Sequence, residues 1–466
     1  MPTSEAPSLE IKPIADSKIG TFSALSIGIG GMVGGGIFAV TGLTVELTRG
    51  GAPVAFIVAG VVAFLTAFSY WRLSLRYPSD GGTVEFLNIA FGTGLVTGAL
   101  NILLCLSYVI LLAVYAYAFG AYGANFFPAE DYEFWKHTLL SVVVVALAVI
   151  NWFGASLAIR SENLFNALKM ILLAIFIVVG FATPMEWTRM APENWVGPFE
   201  LLAGAMVIFL NYEGFELIAN ASNSMRNPKR SLPIAYMGGV SIVIVIYVLI
   251  AIVSVGHLDF TAIAAKPDAT LSLAAHTFMG PTGGIMIAIA AMLATSSAIN
   301  ATFYGSGRLT YLIAKTGQLP KELERDFHGQ PLEGMILFAI FTLVVANFVP
   351  LAAIATMGSA GFLLIFLAVN YANYRQRLET GSGGWVSLLG VAACAIALTA
   401  LVLQTLMTKG QSWQIFILIG MVVLSCLTEY GYRTATGRSI LLRHRSQGSN
   451  LPDPSAPKSK TDSSEA

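Results

Sequence analysis

Apolar runs of about 18 residues or more, each long enough to cross a bilayer core, alternate with short polar segments along nearly the whole chain. Twelve are distinguishable, at roughly 19–42, 51–76, 92–126, 138–158, 162–183, 199–220, 232–256, 278–314, 333–350, 353–374, 385–407 and 412–432. The pattern predicts an all-α membrane protein of twelve transmembrane helices, the two longest projecting beyond the lipid. Residues 1–17 and 447–466, the latter rich in Ser, Pro, Lys and Asp, have the composition of disordered tails.

Composition agrees with the pattern. Of the 466 residues 56% are hydrophobic and only 11% charged, against about 25% charged in an ordinary soluble domain. The runs are too many, and the first too late and too poorly flanked, for a cleavable signal peptide. Cys105, Cys394 and Cys426 lie far apart in apolar runs, and the histidines do not cluster, so neither a metal nor another cofactor is expected. No nucleophile–base constellation marks an enzyme, and no basic patch with interleaved aromatics marks a nucleic-acid partner. The lipid bilayer is the first partner. Oligomeric state is not readable, because lipid-facing and subunit-facing surfaces look alike in sequence.

Basic residues set the orientation. With the N-terminus inside, the inner segments hold Arg72, Arg76, Arg160, Arg226, Lys229, Arg230, Arg308, Lys315, Lys321, Arg325, Arg375, Arg377 and the tail residues. Five basic residues fall outside (Arg49, Lys136, Arg189, Lys266, Lys409) and Lys169 lies in the membrane, leaving twenty of the 26 inside. Inverting the topology or dropping one span destroys that asymmetry. Both termini are therefore expected in the cytoplasm of a multi-pass cell-membrane protein.

Two runs are interrupted. The first contains "GIGGMVGGGIFAVTG" (28–42), with Gly34, Gly35 and Gly36 in succession, and the sixth contains "NYEGFE" (211–216). Each interior glycine costs a helix about 1 kcal/mol relative to alanine. Close packing through small-xxx-small motifs accounts for Gly30 and Gly31, but three consecutive glycines open every face of the helix at once. The interruptions are five spans apart and so cross in opposite directions. Paired breaks in halves of inverted topology point to a substrate site at the bilayer midplane.

An unwound helix in lipid frees N–H and C=O groups, which is tolerated only around a cavity or ligand. The N–H groups at the positive end of a half-helix suit a carboxylate, and the carbonyls suit an ammonium. An α-amino acid is the simplest substrate with both ends. Glu213 and Glu216 flank Gly214 at a depth where a carboxylate costs roughly 2.5–3.5 kcal/mol and is a functional candidate. Glu213 is read as lining the substrate site and Glu216 as a proton sensor or gate. Lys169 lies about 10 Å into its helix at 1.5 Å per residue. It either snorkels to the inner interface or holds its ammonium against freed carbonyls of the first span. In the eighth run "LATSSAINATFYGSGR" places Thr295, Ser296, Ser297 and Asn300 on successive faces, as site hydroxyls or as interhelical glue.

Five stretches, in order and in register, resemble one family. "GGMVGGGIFAVTG" resembles the first helix of the amino acid–polyamine–organocation permeases, and "LSLRYPSDGGTVEFL" (73–87) their loop after helix two. "NALKMILLAIFIVVG" (166–180), "NYEGFELIANASNSMRNPKRSLPIA" (211–235) and "GSGRLTYLIAKTGQLPKEL" (305–323) resemble helix five, the broken helix six and the end of helix eight. The resemblance covers about residues 18–435. It implies the fold of the bacterial leucine transporter, with inverted repeats at 19–183 and 199–374 and two extra helices at 385–432. It also implies alternating access of amino acids or related amines.

Carried over by position, the substrate carboxylate would meet the backbone of Val33, Gly34, Gly35 and Gly36. The amino group would meet carbonyls of Met32, Leu210, Asn211 and Glu213. Lys169 matches the lysine that stands in place of a sodium ion in sodium-independent members, which implies proton symport or exchange. Ser296 and Ser297 join Lys169 and Glu216 as coupling or gating candidates. Two positions depart from the pattern. Gly35 stands where many relatives carry Ser or Thr, and Asn223 and Ser224 replace an acidic pair, putting a charge-based inner gate in doubt. Glu213, neutral in many relatives, either favours a cationic substrate or pairs with Lys169. The alternatives to an amino-acid permease are a polyamine or cationic amine transporter and, in another class, a non-transporting sensor or a channel. No stretch reads as a signalling domain or as the charged or carbonyl ring of a pore.

Overall fold

The computed structural model describes residues 19–92, 94–153, 156–315, 317–319, 332–408, 410 and 412–436. Both expected tails, together with Lys321, Arg325 and Lys409 of the topology count, lie outside the described residues. The first half runs α1 (Thr21–Met32), α2 (Gly36–Thr48), α3 (Ala52–Arg76), α4 (Gly82–Phe91), α5 (Leu95–Ala124), α6 (Tyr132–Phe153) and α7 (Ser156–Ala182). Next come α8 (Pro198–Val207), α9 (Leu217–Asn220), α10 (Pro228–Pro233), α11 (Gly239–His257), α12 (Phe260–Ala265) and α13 (Thr270–Lys315). The chain closes with α14 (Leu332–Phe348), α15 (Leu351–Arg375), α16 (Arg377–Thr380), α17 (Gly384–Met407) and α18 (Trp413–Thr436). The described residues form no strand, only isolated bridges between Ile19 and Met225 and between Arg49 and Trp195.

Ten stretches are long and apolar enough to cross a bilayer, eleven if α1 and α2, bent by 47°, make one span. The run expected at 333–350 is a shorter apolar helix, Glu333–Phe348, and the count reaches twelve only with it. The structure adds α4 within the expected loop after the second span. It also adds a kink: Gly280, at φ 71°, splits an arm at 270–279 from the rest of α13, with Pro281 just after the break. Proline at the first positions of α3, α8 and α10 starts those helices where a backbone donor would have no partner anyway.

Burial separates centre from periphery. The apolar window of Pro198–Asn220 is 83% buried and that of Leu95–Ala124 78%, against 17% for Trp413–Ala435. The outer helices present side chains such as Phe416, Leu427, Val178 and Ile340 outward, as lipid-facing surfaces do. Lipid is as apolar as leucine, so association rests on close packing and interhelical hydrogen bonds. Tyr70 shows the packing at its densest, meeting Phe215 and Phe366 edge-on at centroid distances of 5.5 and 5.6 Å. Asn370 shows the bonding: it accepts from Ser69 at 2.7 Å and donates to Thr66 at 3.0 Å, tying α15 to α3. Of the three cysteines, Cys394 is buried and Cys105 partly so, but Cys426 is exposed.

Candidate functional site

Val33, Gly34 and Gly35 separate α1 from α2. The first helix ends as Val33 N–H donates to the Ile29 carbonyl at 2.8 Å, and helical bonding resumes with Ala39 N–H to Gly35 at 3.0 Å. A methyl on Gly34 would lie 3.1 Å from Ala298 Cβ, and one on Gly35 would lie 2.7 Å from both Thr295 and Tyr115. A methyl on Gly36 would lie 2.6 Å from the Asn211 side-chain oxygen. Position 35 therefore has no room for the Ser or Thr that the resemblance would lead one to expect there while Tyr115 and Thr295 stand where they do.

The sixth span breaks differently. After α8 the chain tightens into a 3-10 turn at Ile208–Tyr212, extends at Glu213 (φ −64°, ψ 145°) and turns at Gly214, whose φ of 115° favours glycine. Side chains from neighbouring helices satisfy backbone groups that the unwinding frees. Ser359 Oγ accepts from Leu210 N–H at 3.0 Å and donates to the Val207 carbonyl at 2.8 Å. The Tyr212 hydroxyl donates to the Phe56 carbonyl at 2.7 Å, anchoring the turn to α3.

The two breaks touch. A methyl on Gly31 would lie 2.7 Å from the Gly214 carbonyl oxygen, and one on Gly214 would strike the Gly31 backbone. Tyr247, buried on α11, spans them: its hydroxyl sits 2.6 Å from the Met32 carbonyl and 3.0 Å from the Asn211 carbonyl, sharing one proton between two acceptors. Both are carbonyls that the resemblance assigns to an ammonium. The Leu210 carbonyl accepts from Glu213 N–H at 3.1 Å. The Asn211 side chain is buried with neither amide atom bonded.

Lys169 Nζ donates to the Gly30 carbonyl at 2.9 Å, and the residue is 1% exposed, so it does not snorkel. Gly30 lies four residues before Gly34, where the helix that would have used its carbonyl stops. The two glutamates differ sharply. Glu216 Oε2 accepts from Gly214 N–H at 2.7 Å and its Oε1 from the Tyr108 hydroxyl at 3.2 Å. Glu213 is fully buried and neither carboxyl oxygen has a hydrogen-bond partner, so it does not bond Lys169.

A small cavity, about 40 Å³, lies beside the breaks, lined by Gly30, Gly31, Gly214, Glu216, Ser297 and Tyr115 among others. A second, smaller one, about 10 Å³, shares Tyr108, Glu216, Leu217 and Thr302 with the first and continues to Gly81, Asn220 and Leu309. That direction is the one expected to face the cytoplasm. On the opposite side α2 is buried from Gly36 to Val45, Gly42 is pressed against Pro267 and Thr270, and the Tyr122 hydroxyl donates to Phe38 at 3.1 Å. In the eighth span Thr295 and Ser296 bond their own helix, at 2.7 Å to Ala291 and to Met292. Asn300 accepts from Asn151 at 2.7 Å.

The structure thus gathers Met32, Leu210, Asn211, Lys169, Glu216 and Ser297 around the contact between the breaks. Of the expected site residues only Glu216 and Ser297 line these two cavities; Met32, Lys169, Leu210, Asn211 and Ser296 line neither, and nor do Val33, Gly34, Gly35, Gly36 and Glu213. Tyr108, Tyr115 and Tyr247 were not legible as site residues, since a tyrosine in an apolar run carries no mark of what its hydroxyl meets.

A family model described as amino acid permease matches residues 19–426. An uncharacterized protein of Methanocaldococcus jannaschii is 32% identical over 372 residues, covering 79% of this chain and 85% of the relative. An inner membrane transport protein of Escherichia coli is 29% identical over 414 residues, covering 88% and 95%. The cationic amino acid transporter 5 of Arabidopsis thaliana is 28% identical over 377 residues, covering 76% of this chain and 64% of the plant protein.

Proposed function

This chain belongs to the amino acid permease family, and on that premise we propose that it carries amino acids across the cell membrane by alternating access. In this reading transport is sodium-independent and runs by proton symport or exchange. The transmembrane domain at 18–435 holds two inverted repeats, 19–183 and 199–374, with both termini cytoplasmic. The observation that carries the reading is the ammonium of Lys169 on the Gly30 carbonyl, 2.9 Å away beside the break. A fixed cation there takes the place that a sodium ion would need.

The substrate carboxylate meets the start of α2, where Gly34, Gly35 and Gly36 leave backbone donors at the positive end of the helix. The side chain of Asn211, buried and unbonded against Gly36, stands ready to add a polar contact. The substrate ammonium competes with the Tyr247 hydroxyl for the carbonyls of Met32 and Asn211, each of which retains a second lone pair. This arrangement belongs to a transporter that closes around its ligand, with α2 sealing one side and the paired cavities opening on the other.

A specific observation favours a second reading, in which the cargo carries a cationic side chain or is a polyamine or other cationic amine. Among the described residues lining the larger cavity, Glu216 is the one charged side chain. A plant relative is a cationic amino acid transporter. The test is counterflow in sodium-free liposomes containing the purified protein, with labelled amino acids and putrescine offered separately. Exchange without sodium supports transport as stated. Uptake that demands a sodium gradient and ignores pH removes the role given to Lys169, and binding without counterflow favours a sensor.

A further inference from the structure

Two carboxyls three residues apart stand in opposite surroundings. Glu216 is furnished for a negative charge, with a backbone N–H on one oxygen, a tyrosine hydroxyl on the other and open space beside it. Glu213 is furnished for none. It is fully buried and neither oxygen has a hydrogen-bond partner. Among the described residues, the titratable groups within electrostatic reach of it are Glu216 from its own span, Tyr70 of α3, Tyr108 and Tyr115 of α5, and Cys394 of α17. None of these is a cation. A carboxylate in such a place would have nothing to offset its lost hydration, whereas the neutral acid costs far less.

Position adds the second part of the argument. Glu213 sits between Tyr212, which is fastened to α3 through the Phe56 carbonyl, and Gly214, whose backbone touches Gly31 of the other break. Any rearrangement of the two half-helices against each other passes through this residue. Glu216, three residues on, lines both cavities and so faces the path toward Gly81 and Leu309.

Resting on the transport reading above, we propose that Glu213 carries the coupling proton and that Glu216 relays it into the inner cavity. In the opposite-facing state the Glu213 carboxylate takes a proton from water and becomes the acid. It crosses the cycle in that form; as the two half-helices then rearrange and bring Glu213 within hydrogen-bond reach of Glu216, its O–H bond breaks and the proton passes to the Glu216 carboxylate and on to water in the cavity. One proton enters and one leaves, and no other bond changes. Lys169 holds the first break in shape without carrying the proton.

Liposomes loaded with a pH-sensitive dye and holding the full-length protein test the assignment, with a labelled mixture of the twenty L-amino acids and putrescine as probe. Glu213→Gln lowers substrate-driven proton entry at least about tenfold, and by more than it lowers counterflow at symmetric pH. Glu213→Asp, which keeps a titratable group, retains measurable proton entry, and Glu213→Leu repeats the split should the amide disturb folding. Wild-type proton entry in Glu213→Gln overturns the assignment, as does loss of counterflow and proton entry together in both neutral variants, which would make Glu213 a substrate contact. Absence of counterflow in the wild type overturns the transport reading itself.

Discussion

Gly31 and Gly214 meet backbone to backbone, so that a methyl on Gly31 would lie 2.7 Å from the Gly214 carbonyl oxygen. The contact joins the interrupted first span to the interrupted sixth. Everything proposed about the site depends on two half-helices being able to come this close, which only residues without a Cβ allow.

Substituting either glycine should separate the breaks. At Gly214 a side chain also has to adopt φ 115°, so Gly214→Ala should cost about 2 kcal/mol or more through strain and overpacking. Gly31→Ala should cost about 1–3 kcal/mol through overpacking alone. Gly420→Ala, on a helix face with nothing within 4 Å, should lose no stability. Thermal unfolding of the detergent-solubilised protein ranks the three, and a Gly214 variant as stable as wild type would contradict the contact.

Removing the Lys169 ammonium leaves the Gly30 carbonyl without this donor at the edge of the break. Lys169→Ala should abolish pH-driven uptake in liposomes, by about tenfold or more, while membrane insertion and expression persist. Counterflow should fall with it, because the lysine shapes the site. A variant with an intact pH response would sink its assigned role.

Tyr247→Phe keeps the ring and removes one hydroxyl from between the Met32 and Asn211 carbonyls. Loss of a buried donor should lower stability by about 1–3 kcal/mol. If the same carbonyls receive a substrate ammonium, the KM for amino acids should also change, while an unaltered KM would confine Tyr247 to structure.

Charge at Glu216 separates neutral from cationic cargo. Glu216→Gln should weaken competition by arginine or putrescine about tenfold or more relative to leucine if the carboxylate faces a cationic group in the cavity. Equal loss for both classes would leave Glu216 a gating residue without a part in selection. Competition against counterflow of one labelled substrate reads the difference directly.

The spans were legible because a bilayer demands long apolar helices: ten described stretches meet that demand, eleven with the bent first pair, while the run at 333–350 appears only as a shorter helix. The break at Gly34 was legible because three adjacent glycines contradict helix propensity in a medium that punishes unpaired backbone. The kink at Gly280 was not, since a single glycine before Pro281 reads as an ordinary loop boundary. Nor was α4, whose ten residues are too short for hydropathy to distinguish from a polar connection.

At the site, residue type and depth were enough to single out Lys169, Glu213 and Glu216. They could not say that Lys169 reaches Gly30, that Glu216 is the carboxyl with donors and a cavity, or that Glu213 has neither. Sequence by itself determined an all-helical membrane protein with two interrupted spans, because solvation and propensity act locally along the chain. Tertiary structure alone decided which freed backbone group meets which side chain, because Gly31 and Gly214, or Met32 and Tyr247, are brought together only by packing between distant helices.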